Sequence, residues 1–247
     1  MISRLSVSIV RACLRAGTGG SPTAVLDEVP LSDEERCRVP VLAGTSHAVF
    51  VSVHASEVSL RFFTAGGELP ACGHGTVAAL AFLAARAGGP EYRGVLRAAG
   101  RSFAGRAVRE GARFRAVFEP GPVELREPTP DEWAHVLPPL GVTSDTLAPG
   151  ARVASIGRAR LLVPVVSRSG RLAARMFAPS IGVPEDIANA NSTACLAADL
   201  AGRGVTEIAV DMGDALGSPA TITASARPVL RLGGVAEVAG AVRELSV

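Results

Sequence analysis

Two stretches of the chain decide its fold: residues 61–89 read RFFTAGGELPACGHGTVAALAFLAARAGG, and residues 175–204 read RMFAPSIGVPEDIANANSTACLAADLAGRG. The first ten residues of the two stretches match at one constant offset in residue number. The second stretch then contains a short insertion, after which the helical segments of the two stretches match again. The pattern predicts a strand, a loop and a helix in each copy, with chance similarity between two alanine-rich helices as the alternative. The matched positions are Arg61 with Arg175, Phe63 with Phe177, Leu69 with Val183, and Pro70 with Pro184.

The helical part of each copy has the composition of a buried helix. We expect one helix from about residue 76 to residue 86, ended by Gly88, and another from about residue 193 to residue 201, ended by Gly202. Alanine and leucine occupy nearly all faces of both, which is typical of a helix at the centre of a domain. Short alternating segments predict strands around them: HAVFVSVHA (47–55), EVSLRFF (57–63), RFRAVFEP (113–120), EIAVDMG (207–213) and ATITASA (220–226).

These elements predict an α+β protein of two pseudo-symmetric lobes, each a curved, barrel-like sheet around one central helix. We place the N-terminal lobe at residues 1–118 and the C-terminal lobe at residues 119–247, and we allow the extreme C-terminus to pack back on the first lobe. A proline-rich linker covers about residues 119–141. Within it, TPDEWAHVL predicts a short helix with Thr129 as N-cap and Pro130 at its first position. The expected active site is the cleft between the lobes.

The composition excludes several classes of protein. Hydrophobic residues make up 48% of the 247 residues, which supports a well-buried core and argues against disorder. All 25 basic residues are arginine, scattered among acidic residues at a net charge of only +2, so no basic stripe for nucleic acid is present. No apolar stretch reaches the length of a membrane span. We expect a cytoplasmic protein with neither nucleic acid nor a membrane as partner.

Neither a signal peptide nor a cofactor motif is indicated. Arg11 and Arg15 interrupt the N-terminal apolar run, and the alternation of Leu5, Val7 and Ile9 predicts a strand. The sequence contains no phosphate-binding loop, so we expect no cofactor. The cysteines lie far apart and form no CxxC pair, so their spacing predicts neither a disulfide framework nor a metal site: Cys13, Cys37, Cys72 and Cys195.

Both predicted helices start beside small and polar residues, CGHGT (72–76) in one copy and NANST (189–193) in the other. The free N–H groups and partial positive charge of a helix start bind carboxylates, and small residues let a ligand approach the backbone. If the lobes face each other across a pseudo-twofold axis, one cleft holds both helix starts. Such a cleft can stabilise enolate-like charge next to a bound carboxylate. The candidate substrate-binding residues here are Gly73, Gly75, Thr76, Asn191 and Ser192.

Proton transfer at carbon needs groups that titrate near neutrality, and four side chains are candidates. A helix start favours the thiolate of Cys72, although a free cysteine is as often a small core residue. His74, between two glycines, is hard to explain by packing alone. His47 could be an ordinary strand histidine, and Asp186 could merely cap a turn. We interpret the two other histidines as structural or exposed: His54 and His135.

At these residues the sequence resembles the PhzF-like family, named for a phenazine-biosynthesis isomerase, in the fold group of diaminopimelate epimerase and proline racemase. GGSPTAV (19–25) is similar to the family's GNPxAV, and RFFTAGGELPACGHGTVAAL (61–80) is similar to WFTPxxEVxLCGHATLAA. RMFAPSIGVPED (175–186) resembles RxFAPxxGxxED. LGSPATI (216–222) resembles MGRPSxI, and LRLGGVA (230–236) resembles VRVGGxA, so the resemblance covers essentially the whole chain.

The resemblance implies a diaminopimelate-epimerase-like fold and an isomerisation or epimerisation by proton transfer. It also implies that the enzyme needs no metal or organic cofactor, acts on a small carboxylate and forms a homodimer. We add Ser21, within the first of the similar motifs, to the candidate substrate-binding residues.

Three departures from the family pattern bear on the chemistry. The family's usual base is a glutamate, where this chain has His47; an imidazole there would be neutral and basic near pH 7. Asn191 stands where the family has a serine, while Asp186 matches its aspartate. Paired-thiol racemases of this fold carry a second cysteine where Ala190 stands. Cys72 therefore has no thiol partner, which argues against a two-thiol racemase.

We therefore expect a cofactor-independent isomerase that shifts a proton, and with it a double bond, in a small carboxylate. PhzF-like proteins with altered bases serve actinobacterial antibiotic pathways, and the arginine-only basic composition fits a GC-rich genome. Our favoured substrate is a cyclic imine or amino-acid-derived carboxylate, as in 4-alkylproline biosynthesis. The alternatives are an amino-acid racemase or epimerase, and a catalytically inactive relative that binds a small acid.

Overall fold

A computed structural model describes residues 4–55, 57–140, 150–164 and 172–247. None of the helices in these ranges is both long and apolar enough to cross a membrane. The helices are α1 (Asp33–Ala43), α2 (Gly73–Ala87), α3 (Pro130–Leu140) and α4 (Ala190–Ala201). The strands up to residue 118 are β1 (Arg4–Ala12), β2 (Ser21–Asp27), β3 (His47–His54), β4 (Glu57–Thr64), β5 (Gly67–Leu69), β6 (Glu91–Ala98), β7 (Arg101–Glu110) and β8 (Arg113–Phe118). The later strands are β9 (Glu124–Arg126), β10 (Arg152–Ser155), β11 (Ala159–Leu162), β12 (Leu172–Ala173), β13 (Met176–Ala178), β14 (Val183–Asp186), β15 (Glu207–Met212), β16 (Ala220–Ser225) and β17 (Arg231–Ser246).

Eight of the described strands close into a barrel, in the order β1–β2–β3–β4–β6–β7–β8–β17, with β17 pairing back to β1. Neighbouring strands are antiparallel, except that β2 pairs with β3, and β4 with β6, in parallel. Closure depends on the length of β17, which pairs with β8 near its start and with β1 farther along. The last strand thus lies in the same barrel as the strands before residue 118. The division into domains at that residue stays a prediction.

Helix α2 fills the barrel and contacts all eight of its strands. Every residue from Gly73 to Ala84 is buried, which explains why the helix has no polar face. The prediction of a buried central helix is therefore confirmed. The helix begins earlier than the predicted Thr76, because the hydroxyl and the amide of Thr76 both donate to the carbonyl of Cys72. Thr76 is thus the fourth residue of the helix and not its first.

Helix α1 covers the outer face of the barrel. Leu26 of β2 and Phe50 of β3 pack outward in the same apolar cluster as Val39 of α1. Ser32 and Glu35 form a capping box at the start of α1. Side chains that alternate along the strands therefore pack into two hydrophobic cores, one around α2 inside the barrel and one under α1 outside it.

Helix α4 is the central helix of the second lobe. It packs against β15, β16 and β17, which extend from the barrel, and against β10 and β11 of the small sheet β11–β10–β9. It begins at Ala190, again earlier than the predicted residue 193. The predicted cap of α3 is confirmed, since the amide of Glu132 donates to Oγ1 of Thr129 at 3.3 Å and the Glu132 carboxylate accepts from the amide of Thr129 at 2.9 Å.

The repeated motifs have similar local structure. The guanidinium of Arg61 lies 5.0 Å from the ring centroid of Phe63, and that of Arg175 lies 4.9 Å from the ring centroid of Phe177. Arg61 and Phe63 lie in the antiparallel hairpin β4–β5, and Arg175 immediately precedes the hairpin β13–β14 that contains Phe177. The hairpin loops also touch, because Oγ1 of Thr64 donates to the carbonyl of Ile181 at 2.9 Å. Contacts between corresponding elements are what a pseudo-twofold relation produces.

Candidate active site

The two repeated helices meet at their N-terminal ends. A Cβ atom placed on Gly73, the first residue of α2, would lie only 2.4 Å from Cβ of Ala190, the first residue of α4. The missing side chain at Gly73 therefore allows the two helix ends to touch. Asn191 adds a hydrogen bond from its Nδ2 to the carbonyl of Ala71, at 3.3 Å. Both helix starts thus lie in one region of the molecule.

Three titratable side chains form a compact buried cluster beside these helix starts. His47 is the first residue of β3, whereas Cys72 and His74 come from the cap and the first turn of α2, and none is more than 5% exposed. Sγ of Cys72 lies 3.6 Å from Nε2 of His74 and 3.8 Å from its Nδ1. The rings of His47 and His74 meet edge to face with their centroids 4.4 Å apart. The fold therefore brings together residues that are distant in sequence.

Asp186, at the end of β14, is the fourth member of the cluster and is also buried. Its Oδ2 lies 3.9 Å from Nδ1 of His74. The same Nδ1 lies 2.9 Å from the carbonyl oxygen of Ala188. Because a carbonyl can only accept a hydrogen bond, this contact fixes a proton on Nδ1 of His74. Nε2, the nitrogen nearer to Cys72, is left to carry a second proton or a lone pair.

The loop before α4 holds Asp186 in place. Nδ2 of Asn189 donates to Oδ2 of Asp186 at 2.9 Å, and the amide of Ala188 donates to Oδ1 at 3.3 Å. Oδ1 of Asn189 accepts from the amide of Ser192 at 2.8 Å and so caps α4. Asn189 is not among the residues predicted for the site, although asparagine at this position is a known N-cap signal.

The two histidines of the cluster carry different charges. Burial lowers the pKa of His47, and the charge of His74 lowers it further, to about 3, against an opposing effect of Asp186. Burial also lowers the pKa of His74, but the neighbouring Cys72 and Asp186, with hydrogen bonds to Cys72 and Ala188, raise it to about 9 overall. His47 is therefore neutral near pH 7, as expected, but burial makes it a weak base, which corrects the expectation of a basic imidazole.

Asp186 stays ionised in spite of its burial. Burial alone would raise the pKa of this carboxyl group, but the charge of His74, a smaller effect of His47 and the two hydrogen bonds from the preceding loop lower it overall. Asp186 and His74 therefore form a buried pair of opposite charges, with Asp186 balancing the imidazolium.

The first turn of α2 is the better anion site of the two helix starts. Cys72 occupies its N-cap position but makes no capping hydrogen bond, and no side chain in the described ranges caps the amides of residues 73–75. In α4, by contrast, Asn189 already occupies the amide of Ser192. Uncapped amides at a helix start can bind a carboxylate, which makes the first turn of α2 the candidate anion site.

The remaining predicted binding residues differ in whether their polar groups already have hydrogen-bond partners and in the space that they leave around Cys72. The hydroxyl of Thr76 donates to the carbonyl of Cys72 at 2.8 Å, so it already has a partner. Oγ of Ser21 is buried without a hydrogen-bond partner among the described residues. A Cβ on Gly75 would lie 3.0 Å from Sγ of Cys72, so the glycine leaves room around the thiol. The two histidines outside the cluster are exposed, as expected: His54 and His135.

A cavity opens beside Cys72, between the helix starts and the ends of the barrel strands. Its wall includes Thr76 of α2 and Asn191 of α4, but not the other three members of the four-residue cluster. Arg101, at the start of β7, adds a guanidinium, whose Nη2 donates to the carbonyl of Pro120 at 2.6 Å. No local pattern in the sequence marks Arg101 as a residue of this wall. Much of the wall is apolar, with Phe62, Phe103, Phe118 and Ile156.

Comparison with known proteins identifies the family of this chain. Residues 15–170 match the model of the family described as phenazine biosynthesis-like protein, PhzC-PhzF. The chain is similar to the uncharacterized isomerase YddE of Salmonella typhimurium, with 28% identity over 252 residues that cover 83% of this chain and 84% of the relative.

Solved structures share the fold along the chain. A predicted epimerase, PA4716 from Pseudomonas aeruginosa, has a TM-score of 0.86 and 22% identity, covering 98% of this chain and 99% of that one. A hydroxyproline epimerase from Agrobacterium vitis, solved with bound trans-4-hydroxy-L-proline, has a TM-score of 0.62 and 11% identity, covering 99% of this chain and 93% of that one. At these identities the structures confirm the diaminopimelate-epimerase-like fold. Because the family model covers more than half of the chain, this protein belongs to the phenazine biosynthesis-like family and is an isomerase.

Proposed function

We propose that this isomerase moves a proton between two carbons of a small carboxylate, with Cys72 as the group that carries the proton. The observation that supports this most is the position of Cys72. It is the member of the four-residue cluster that contributes to the cavity wall, and it stands at the uncapped start of α2. Its Sγ lies 3.6 Å from Nε2 of His74. The sulfur of Cys72 thus lies beside the partial positive charge of a helix start and beside an imidazolium, and the thiolate is the form that accepts a proton.

The other three residues support this thiolate. His74, held through Nδ1 by the carbonyl of Ala188, balances the negative charge of the thiolate from its Nε2 side. Asp186 keeps the imidazolium charged. His47 lies behind His74, with its neutral ring packed edge to face against it. His47 is the alternative base, but its low pKa and its place behind the cavity wall make it the weaker candidate.

The substrate carboxylate binds at the amides of the first turn of α2. A carboxylate held there makes the adjacent carbon more acidic and stabilises the enolate-like charge that forms when its proton leaves. The thiolate of Cys72 takes this proton, the double bond moves along the conjugated system, and the thiol returns the proton at the far carbon. One group on one face is sufficient, so no oxidant, metal or second thiol is required.

The lining of the cavity and the resemblance both support the substrate class that we propose. The wall combines the guanidinium of Arg101, which can pair with an anion, with aromatic and aliphatic side chains, and this lining suits a small ring that carries one carboxylate. We propose a cyclic imine carboxylate of a natural-product pathway, such as a precursor of a 4-alkylproline. A racemase needs a base on each face of the carbon, and Ala190, which packs against Gly73, offers none.

Purified protein, freed of metal with a chelator, should therefore shift the double bond of a five-membered cyclic imine carboxylate in an NMR time course. L-proline and D-proline, incubated in parallel, should keep their configuration. Exchange at Cα of proline without reaction of the imine would favour the racemase instead. Binding of both acids without any reaction would favour a relative that only binds small acids.

A further inference from the structure

We propose that His47, Cys72 and His74 together bind a thiophilic divalent cation, best met by Zn²⁺, and that the bound ion inhibits proton transfer. Binding itself does not depend on the proposed function, whereas inhibition rests on it. The sulfur of Cys72 and the ring nitrogens of the two histidines all lie within 4.8 Å of one another, and all three residues are buried. Two imidazoles and one thiol form a donor set that zinc favours in proteins.

The spacing of the donor atoms suits a zinc ion. Zinc–sulfur bonds of about 2.3 Å and zinc–nitrogen bonds of about 2.0–2.1 Å set tetrahedral sulfur and nitrogen ligands roughly 3.5 Å apart. Sγ of Cys72 lies 3.6 Å from Nε2 of His74. His47 stands against the same ring, with the two centroids 4.4 Å apart, and one of its ring nitrogens lies within 4.8 Å of the donor atoms of Cys72 and His74.

The surroundings orient the rings as ligands. Nδ1 of His74 donates to the carbonyl of Ala188 and lies 3.9 Å from Oδ2 of Asp186, so Nε2 is the nitrogen left for a metal bond. Nδ1 of His47 lies 2.8 Å from Oγ of Ser46, and in the tautomer in which Nδ1 donates to this hydroxyl, Nε2 carries the lone pair for a metal bond. A metal-bound histidine usually donates its second N–H to a carbonyl, a carboxylate or water, and such partners fix the ring.

The site is open on one side. Cys72 lies in the wall of the cavity, so an ion can enter from there, and water can fill the fourth coordination position. A bound ion displaces the proton of Nε2 of His74 to water and takes the electron pairs of this nitrogen and of Sγ. No thiolate is then left to accept a proton from carbon. The cation therefore acts as an inhibitor in this site.

Titration with Co²⁺ tests the binding, because a cobalt–thiolate bond gives a near-ultraviolet charge-transfer band. Competition with a chromogenic chelator measures the affinity of the protein for Zn²⁺. We expect one ion per chain. Cys72→Ser and His47→Gln should each weaken Zn²⁺ binding at least about 10-fold, and Cys72→Ser should also remove the band. The matched controls are Cys37→Ser, on α1 outside the barrel, and His54→Gln, at the exposed end of the same strand as His47.

Absence of the charge-transfer band in the unaltered protein would overturn the proposal. A Zn²⁺ affinity in both cluster variants equal to that of the unaltered protein would also overturn it. Circular dichroism identifies a variant that has not folded, and the result for the unaltered protein decides the question in that case. In the isomerase assay, Zn²⁺ should inhibit and a chelator should restore the rate. Binding without inhibition would leave the metal site intact and contradict the proposed role of Cys72.

Discussion

At the residue scale, Asn189 shows how the charged pair is fixed in position. One end of its amide caps α4, and the other end donates to Asp186. Asp186 in turn faces Nδ1 of His74 across 3.9 Å. A single neutral side chain therefore connects the start of a helix to the charge of the histidine beside Cys72.

We predict that Asn189→Ala lowers both stability and activity. Loss of the cap costs about 1 kcal/mol in the free energy of unfolding, and the lost hydrogen bond leaves Asp186 less well held. Ser32→Ala removes a comparable cap from α1, outside the barrel, so it should cost a similar free energy while turnover stays unchanged. Urea unfolding and the isomerase assay on both variants check this. Equal turnover in the two variants would show that Asn189 acts only as a cap.

Much of the residue-level site could be predicted from sequence, for identifiable reasons. Cys72, His74 and Asp186 stand in motifs at the ends of repeated elements, so pattern alone indicated them. Arg101 could not be predicted, because only the pairing of β6 with β7 and β8 brings its strand to the cavity. The weak basicity of His47 also depends on tertiary burial, which no local pattern encodes.

At the scale of the element, the contact between the first residues of α2 and α4 sets the geometry of the site. Sequence placed both helix starts too late, because glycine and asparagine have poor helix propensity and favour loops. Their tertiary role explains their presence in the first turns. Gly73 lets the helices touch, and Asn191 bonds across to the carbonyl of Ala71.

Gly73→Ala should push the two helix starts apart. The new Cβ would lie 2.4 Å from Cβ of Ala190 and 3.0 Å from Oδ1 of Asn191, and overpacking of this kind typically costs about 1–3 kcal/mol. Gly240→Ala is the matched control, since a Cβ there meets nothing within 4 Å and should change stability by less than about 0.5 kcal/mol. Thermal unfolding and turnover report the two effects. Wild-type stability in Gly73→Ala would refute the close contact.

At the scale of the whole molecule, the barrel brings distant segments together. His47 opposes Thr23 in the parallel pairing of β2 with β3, and this register sets His47 beside the start of α2. The internal repeat allowed the two central helices to be predicted. It gave no information on the long-range pairing of β17 with β1, because such pairing depends on closure of the complete sheet.

The central claim is that Cys72, at the start of α2, carries the proton, and solvent deuterium uptake into the substrate carbon tests it most directly. Metal-free protein in D₂O should incorporate deuterium as the double bond shifts. Cys72→Ala should lower the exchange rate by about 10²–10⁴-fold. His47→Ala should lower the exchange rate by a smaller factor, and Cys37→Ser should leave it unchanged. Near-full exchange in Cys72→Ala, with loss confined to His47→Ala, would contradict the account and make His47 the base.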